Sequence, residues 1–356
     1  MLKPVMKIVI AIDSYKGCLS SIKAAEAART GIMKIHPEAD IVILPIADGG
    51  EGTAEVLEGY GVSAGVVEIA KGAGLRKVKD RNVYTQSTYP VGEMIKEEIK
   101  KGNKNIVITL GGSGTNDMGL GALQGLGLKV YDDCGNEMGP IAAGMLKHIA
   151  GFDSTELHKN IKGIRFSYLF DAEIPFCGPE GAVMLYAPQK GMVNLNDLKE
   201  TDAEMQRVGH LIAKHTHRNP AEARGAGAAG GCGGGFYAFL HAEGKPGIEE
   251  VLRAARFDQS VSNADLVITG EGKSDRQTCQ GKAAAGILKE AHRYNVPVLL
   301  VSGRFEDIGD LQRYGFDYML CINSGYDKDP ADPLNPEVAA KRIANKVSEF
   351  IGRYKI

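Results

Sequence analysis

The chain has 356 residues, 42 of them basic and 44 acidic for a net charge of −2, with 46 Gly, 6 Cys and no Trp. At this length one core is near its practical limit, so two domains are expected, and neither a metal nor a disulfide is needed for folding. The absence of a basic stripe argues against a nucleic-acid or anionic-membrane partner. The six cysteines are scattered without a C-x-x-C pair, which reads as reduced thiols. The opening apolar run Ile8–Ile12 is too short for a signal peptide and ends at Asp13. No apolar stretch approaches the ~20 residues of a membrane span, so a cytoplasmic location is expected.

Lys7–Ile12 is a continuous apolar, β-branched run, as in a strand buried on both faces. Ser20 or Ser21 can cap a helix with an apolar stripe at Ile22, Ala25, Ala28 and Ile32. Ile41–Leu44 reads as a second strand, and Asp48–Thr53 opens a short helix through Leu57. In the middle, Lys104–Leu110 is a strand leading into Gly111–Asp117. Shorter, turn-rich segments follow: Lys129–Tyr131, the turn Asp132–Gly135, and Gly163–Phe170. Thr201–His217 reads as a helix, and Arg224–Gly235 is almost all Gly and Ala.

The last third returns to strand–helix alternation. Asp265–Thr269 and Val296–Val301 read as strands, as does Tyr318–Ile322, with helices over Gly281–Tyr294 and Phe305–Tyr314 between them. Asn335–Pro336 supplies a cap and first-turn proline for a final helix to about Tyr354. This grammar predicts two α/β domains. Residues 1–66 and 255–356 form a doubly wound, mostly parallel sheet of the Rossmann or flavodoxin-like kind. Residues 67–254 form an inserted, mixed α/β domain, with the active site expected in the cleft between them.

Four glycine-rich loops stand where strands are expected to end: Asp13–Gly17, Asp48–Gly52, Gly111–Asp117 and Gly270–Asp275. Ligands of open α/β sheets bind beyond the carboxyl ends of the strands. Glycine there lets backbone N–H groups approach an anion, so the set points to phosphate handling. The generic nucleotide motifs fail. Gly225-Ala-Gly227-Ala-Ala-Gly230 spells G-x-G-x-x-G with no strand before it, and Gly281-Lys282 is followed by Ala283 rather than Ser or Thr. His215 and His217 lie outside any zinc motif. Carboxylates remain: Asp13, Asp48, Glu51, Asp117, Asp171, Glu271 and Asp275 all fall in or beside these loops, where they can hold Mg²⁺, accept a hydroxyl proton, or simply cap helices.

Taken together, these segments resemble the glycerate kinase family. Asp13-Ser-Tyr-Lys-Gly17 is similar to its D-S-F-K-G opening, Ala47–Thr53 matches A-D-G-G-E-G-T, and Gly111–Asp117 is similar to G-G-S-A-T-N-D. Gly178–Ala182 with Pro188–Gly191, Gly225–Gly231, and Ile268–Gly272 with Asp275, Gln277 and Gly281-Lys282 complete the set. The resemblance implies an ATP- and Mg²⁺-dependent kinase of glycerate or a similar small hydroxy acid. It implies Lys16, Asp171, Asp275 and Lys282 as catalytic, with Asp171 and Asp275 as metal ligands or proton acceptors. It also implies Ser14, Asp48, Glu51, Gly111, Gly112, Ser113, Thr115, Asn116, Asp117, Gln189, Lys190, Glu271 and Gln277 as substrate or phosphate contacts.

Three departures stand against the family pattern. A strand pair with a G-P-L-G turn is missing between the Asp48–Thr53 segment and Val67. Ile174 replaces an Asn, and Pro90 and Val91 replace a Gly and a Thr. A catalytically impaired relative that only senses a metabolite is therefore the alternative. The 2- or 3-hydroxyl as acceptor, the identity of the base, and a homodimeric state stay open.

Overall fold

The computed structural model describes residues 5–75, 82–326, 329 and 331–354; the first four residues of the opening segment lie outside them. Eleven strands run in chain order among the described residues: β1 (Lys7–Ile12), β2 (Asp40–Ile43), β3 (Gly65–Glu68), β4 (Asn105–Thr109), β5 (Lys129–Asp132), β6 (Ile149–Asp153), β7 (Arg165–Phe170), β8 (Glu243–Pro246), β9 (Leu266–Ser274), β10 (Val298–Phe305) and β11 (Tyr318–Cys321). The chain divides into two compact units, Met1–Asp48 with Ile248–Ile356, and Gly49–Gly247. The fold is α/β, as the alternation of elements implies.

The first unit holds a five-stranded sheet in the order β11-β10-β9-β1-β2, every pair parallel. β1 lies inside the sheet, which is why its run carries no polar alternation: Ile8 to Ile12 are all fully buried. Ile8, Ile10, Ile12, Leu266, Ile268, Leu299 and Val301 share one core with the helices Ser21–Met33 and Pro336–Ile351. Those helices approach closely because residue 31 is glycine; a Cβ there would overlap the Ala344 carbonyl oxygen. The expected caps are present, with Ser20 accepting from the Lys23 N–H and Asn335 from the N–H groups of Glu337 and Val338. Ile22 departs from the expected stripe and lies half exposed, and Ala24 takes its place on the buried face.

The second unit holds a parallel sheet in the order β3-β4-β7-β8 and a separate antiparallel ribbon, β5 with β6. The changeovers between units fall at 48/49 and 247/248, whereas the sequence places them at 66/67 and 254/255. The reason at the first is β3, whose register with β4 (Gly65 opposite Ile106, Glu68 opposite Thr109) ties the preceding helix Thr53–Gly59 to the second unit. At the second, Ile248 packs on the helix Ala283–His292 at Gly286, so the residues after Gly247 join the first unit. No helix among the described residues is long and apolar enough to cross a membrane.

Candidate functional site

In the first unit the strand order reverses between β1 and β9: from β1 the chain moves one way to β2, and from β9 the other way to β10 and β11. Ligands of such sheets bind beyond the carboxyl ends of the strands at that reversal. Asp13 follows β1 there. Its N–H donates to the Gly270 carbonyl at 2.9 Å, and its own Oδ1 accepts from the Ser14 N–H at 2.7 Å. The next residues fold into a tight turn, with the Tyr15 N–H bonded to the Leu19 carbonyl and Gly17 at φ +84°. The Tyr15 hydroxyl anchors the turn by donating to the Val301 carbonyl of β10 at 3.0 Å.

Three carboxylates gather at this reversal. Asp13 and Asp48 are 7% and 4% exposed, and Glu271 follows one register position after Gly270, itself opposite Ile12. Burial first, then the negative charges of Asp48 and Glu271, push the Asp13 carboxyl up to about 8, against the pull of Lys16 and the Ser14 N–H. Glu271 is also raised by burial, less so because Thr278 Oγ1 (2.6 Å) and Ser274 Oγ (3.1 Å) donate to its Oε1 and Lys282 is near. The Lys16 ammonium, half exposed, lies 3.8 Å from Asp48 Oδ2.

Asp275 sits differently. It caps a 3₁₀ turn over Arg276–Gln280, accepting from the Gln277 N–H at 2.9 Å, while Thr278 Oγ1 accepts from the Asp275 N–H. Its other oxygen pairs with Lys273 Nζ at 3.0 Å. Burial alone would raise this carboxyl, but Lys273, the Gln277 N–H and Lys282 outweigh it and hold it below the usual range. One expected loop is a strand: β9 continues through Gly270 and Gly272 to Ser274. Gly270 serves close strand approach, since a Cβ there would overlap the Val301 carbonyl oxygen.

In the second unit, two glycine-rich loops meet. The Gly111 N–H donates to the Gly49 carbonyl at 3.1 Å, and a Cβ on Gly111 would stand 2.5 Å from Gly50 Cα. Gly112 has φ +80°, which favours glycine. The 50–54 turn is pinned by Glu68, a residue the sequence analysis passed over. Its buried Oε1 accepts from the N–H groups of Gly52 (3.0 Å) and Ala54 (2.9 Å), and Oε2 pairs with Lys71. A lone Glu closing the apolar run Val66-Val67 was the available signal.

Ser113 is 6% exposed, and Thr115, Asn116 and Asp117 are fully buried. Asp117 binds inward: Oδ2 accepts from the Thr88 N–H and Oγ1 (2.7 Å each) and from the Gly121 N–H, and Oδ1 from the Gly119 N–H. Burial raises its carboxyl and these donors oppose the rise. Lys190 is 3% exposed and bonded within the same loop. Asp171, just past β7, and Ser14 are half-buried; Glu51, Gln189 and Gln277 are exposed. Among the described residues, the one set of three or more His, Cys, Asp or Glu side chains whose ligand atoms lie close together is the turn Asp132-Asp133-Cys134; it includes neither Asp171 nor Asp275.

Motif residues thus stand at or just beyond the carboxyl ends of strands in both sheets, while Gln189 and Lys190 lie in the 3₁₀ turn Pro188–Lys190 that follows the helix Ala182–Tyr186. A family model described as the glycerate kinase family matches residues 8–63 and 58–351. The chain belongs to that family. It is 35% identical to a glycerate kinase of Bacillus subtilis over 90% of this chain and 91% of that one. It is 34% identical to a glycerate 2-kinase of Escherichia coli, over 89% and 90%. The crystal structure of a protein assigned as glycerate kinase 2 from Salmonella typhimurium LT2 superposes with a TM-score of 0.78 at 32% identity, covering 98% of both chains. The chain is accordingly an enzyme of the kinase type.

The two pieces of the family match meet at 58–63, where the sequence reading puts the missing strand pair. The other departures are absorbed structurally. Pro90 stands in the first turn of the helix Tyr89–Lys100, where no hydrogen bond is lost. Val91 is fully buried, and Ile174 is 8% exposed.

Proposed function

We propose that the chain is an ATP-dependent kinase that transfers the γ-phosphoryl group to a hydroxyl of glycerate, the 2-hydroxyl being favoured by the name of the Escherichia coli relative. The observation that carries this reading is the group of Asp13, Asp48 and Glu271, with Lys16 and Lys282, at the reversal point of the first sheet. Phosphoryl transfer asks the protein for alignment, charge neutralisation and a proton acceptor. Asp13 suits the last task, because a base works best with a pKa near the working pH, and its carboxyl is pushed to about 8. In its ionised form, the minor one below pH 8, it takes the proton as the substrate oxygen bonds to the γ-phosphorus and ADP leaves. Lys16 and Lys282 supply positive charge toward the substrate carboxylate and the phosphates. In the second unit, Gly112 and Ser113 are the candidates to present backbone and hydroxyl groups to phosphate oxygens, since the Gly111 N–H is taken by the Gly49 carbonyl.

Mg²⁺ fits the donors present: carboxylates are its ligands, and it uses one or two of them together with waters and phosphate oxygens rather than an all-protein cage. Asp275, whose carboxyl is held below the usual range, is the residue of the first unit proposed to hold it, and Asp171 is the candidate of the second. The ion would neutralise phosphate charge as it develops. The purified protein given MgATP and D-glycerate should release ADP in a coupled assay, with NMR of the product separating 2- from 3-phosphoglycerate. Asp13→Asn should lower kcat about 10²- to 10⁴-fold. Calorimetric binding of glycerate without any ADP release would instead support the sensing alternative.

A further inference from the structure

Among the described residues, Lys190 is the most deeply buried lysine. It ends the 3₁₀ turn Pro188–Lys190, with Gly191 at φ +104° closing it. Its N–H donates to the Ala187 carbonyl at 3.0 Å and its carbonyl accepts from the Val83 N–H at 3.2 Å, so the backbone beneath the side chain is held at both ends. An ammonium has three hydrogens and no lone pair. Lys190 Nζ meets three acceptors, all from one stretch of four residues: the Thr115 carbonyl at 2.7 Å, Ser113 Oγ at 3.2 Å and Asn116 Oδ1 at 3.2 Å. Each hydrogen is thereby matched inside the protein, and the residue as a whole is only 3% exposed.

The far side of the same stretch is closed as tightly. A Cβ on Gly230 would overlap the Thr115 carbonyl oxygen that Lys190 binds, and would lie 2.6 Å from Asn116 Cα. The Met118 N–H donates to the Gly230 carbonyl at 3.1 Å. Ala229, Gly230 and Gly231 all take left-handed backbone angles to make this approach. Burial pulls the ammonium down to about 8, while Cys232 on the helix Ala228–Leu240, Asp117 on the loop and Asp171 past β7 act the other way, so the cation persists at neutral pH.

We propose that Lys190 is a positioning residue that sets the conformation of the Ser113–Asn116 turn from within the second unit and makes no contact of its own with phosphate. The loop it holds is rich in glycine (Gly111, Gly112, Gly114) and has little stiffness of its own. Gathering three acceptors on one nitrogen curls Ser113 to Asn116 around a fixed point. The activity arm of the test rests on the kinase reading above; the exchange and labelling arms do not.

The test uses the full chain. Lys190→Met keeps the unbranched apolar stem, one atom shorter, and removes the donors. In the ligand-free protein it should speed amide hydrogen exchange at residues 112–117 at least tenfold and leave β4 and β7 unchanged. In the kinase assay kcat should fall at least thirtyfold with KM for ATP within threefold, and Lys190→Arg should recover part of kcat. Ser113→Ala should cost activity in the wild-type background and nothing further beside Lys190→Met. Should Lys190→Met fail to fold, acetylation of the wild-type chain by an N-hydroxysuccinimide ester decides: Lys190 should resist labelling equally with and without MgATP while the exposed Lys16 reacts. Labelling of free Lys190 that MgATP blocks would overturn the proposal. So would unchanged exchange in Lys190→Met, or a tenfold rise in KM for ATP at constant kcat. If no glycerate phosphorylation is seen at all, the kinase reading fails and exchange with labelling still judges Lys190.

Discussion

Replacing Asp13 by Asn should make the protein more stable while disabling it. Asn keeps the shape of a protonated carboxyl and leaves the Ser14 N–H its acceptor. In the folded chain the carboxyl holds its proton up to about pH 8, against 3.8 for an unperturbed Asp. Below 3.8 both states are protonated and the substitution changes little. Between 3.8 and 8 the unfolded chain ionises and the folded chain does not, so wild-type stability is lost as pH rises; above 8 the loss is complete. At pH 7 the mismatch spans about three units, on the order of 4 kcal/mol at about 1.4 kcal/mol per unit. Relaxation of Asp48, Glu271 and Lys16 around a charged Asp13 reduces this to roughly 2–4 kcal/mol. Urea unfolding of both proteins at pH 4, 5.5, 7 and 8.5 measures it. The Asn variant should gain stability steadily with pH and level off above 8. A gain independent of pH, or a loss, would refute the reasoning that ties Asp13 to a shared negative site.

The remaining expectations concern backbone approach and capping. Gly111→Ala places a Cβ against Gly50 and should move both glycine loops, costing about 1–3 kcal/mol in chemical unfolding and activity with it. Gly235→Ala drives a Cβ into the Met118 carbonyl oxygen and should cost a similar amount, while Gly139→Ala, which meets nothing within 4 Å, should stay within about 0.5 kcal/mol in the same measurement. Glu68→Ala leaves the Gly52 and Ala54 N–H groups without their acceptor and should speed hydrogen exchange at 50–54. Asn335→Ala removes the cap of the last helix and should lower stability by about 1 kcal/mol in a thermal scan.

Elements whose identity is local were legible in the sequence. The unbroken apolar run of β1 reads as a strand covered on both faces, and Ile8–Ile12 are fully buried. Asn335-Pro336 opens a helix by its own chemistry. The helix Leu195–Thr216 starts six residues before the expected Thr201; its early turns are polar and its cap is Asn194. The Gly and Ala run beginning at Arg224 carried no element at all in the sequence, since glycine is a poor helix former. Burial overrides that in Ala228–Leu240, where glycines let the backbone meet the Thr115 and Met118 carbonyls.

The site was legible as a set of loops and not as a geometry. Asp13, Asp48 and Glu271 stand far apart in the chain. Only the register that puts Ile12 opposite Gly270 brings the first and last together, and no local pattern reports a register. Burial was equally hidden. Asp117 and Lys190 look like exposed polar residues in their motifs, and each instead satisfies its neighbours from inside.

The sheet that carries Asp13 is sewn from two distant stretches of chain: the Lys7 N–H reaches the Asp265 carboxylate across 258 positions. On a ribosome adding about 5–20 residues each second, that interval is roughly 10–50 s. The first two strands emerge well before β9, β10 and β11, their apolar surface without its partners, while Gly49–Gly247 acquires all of its strands in one run. Translation speed and chaperone supply should therefore weigh on the opening β-α-β piece more than on any other part of the nascent polypeptide.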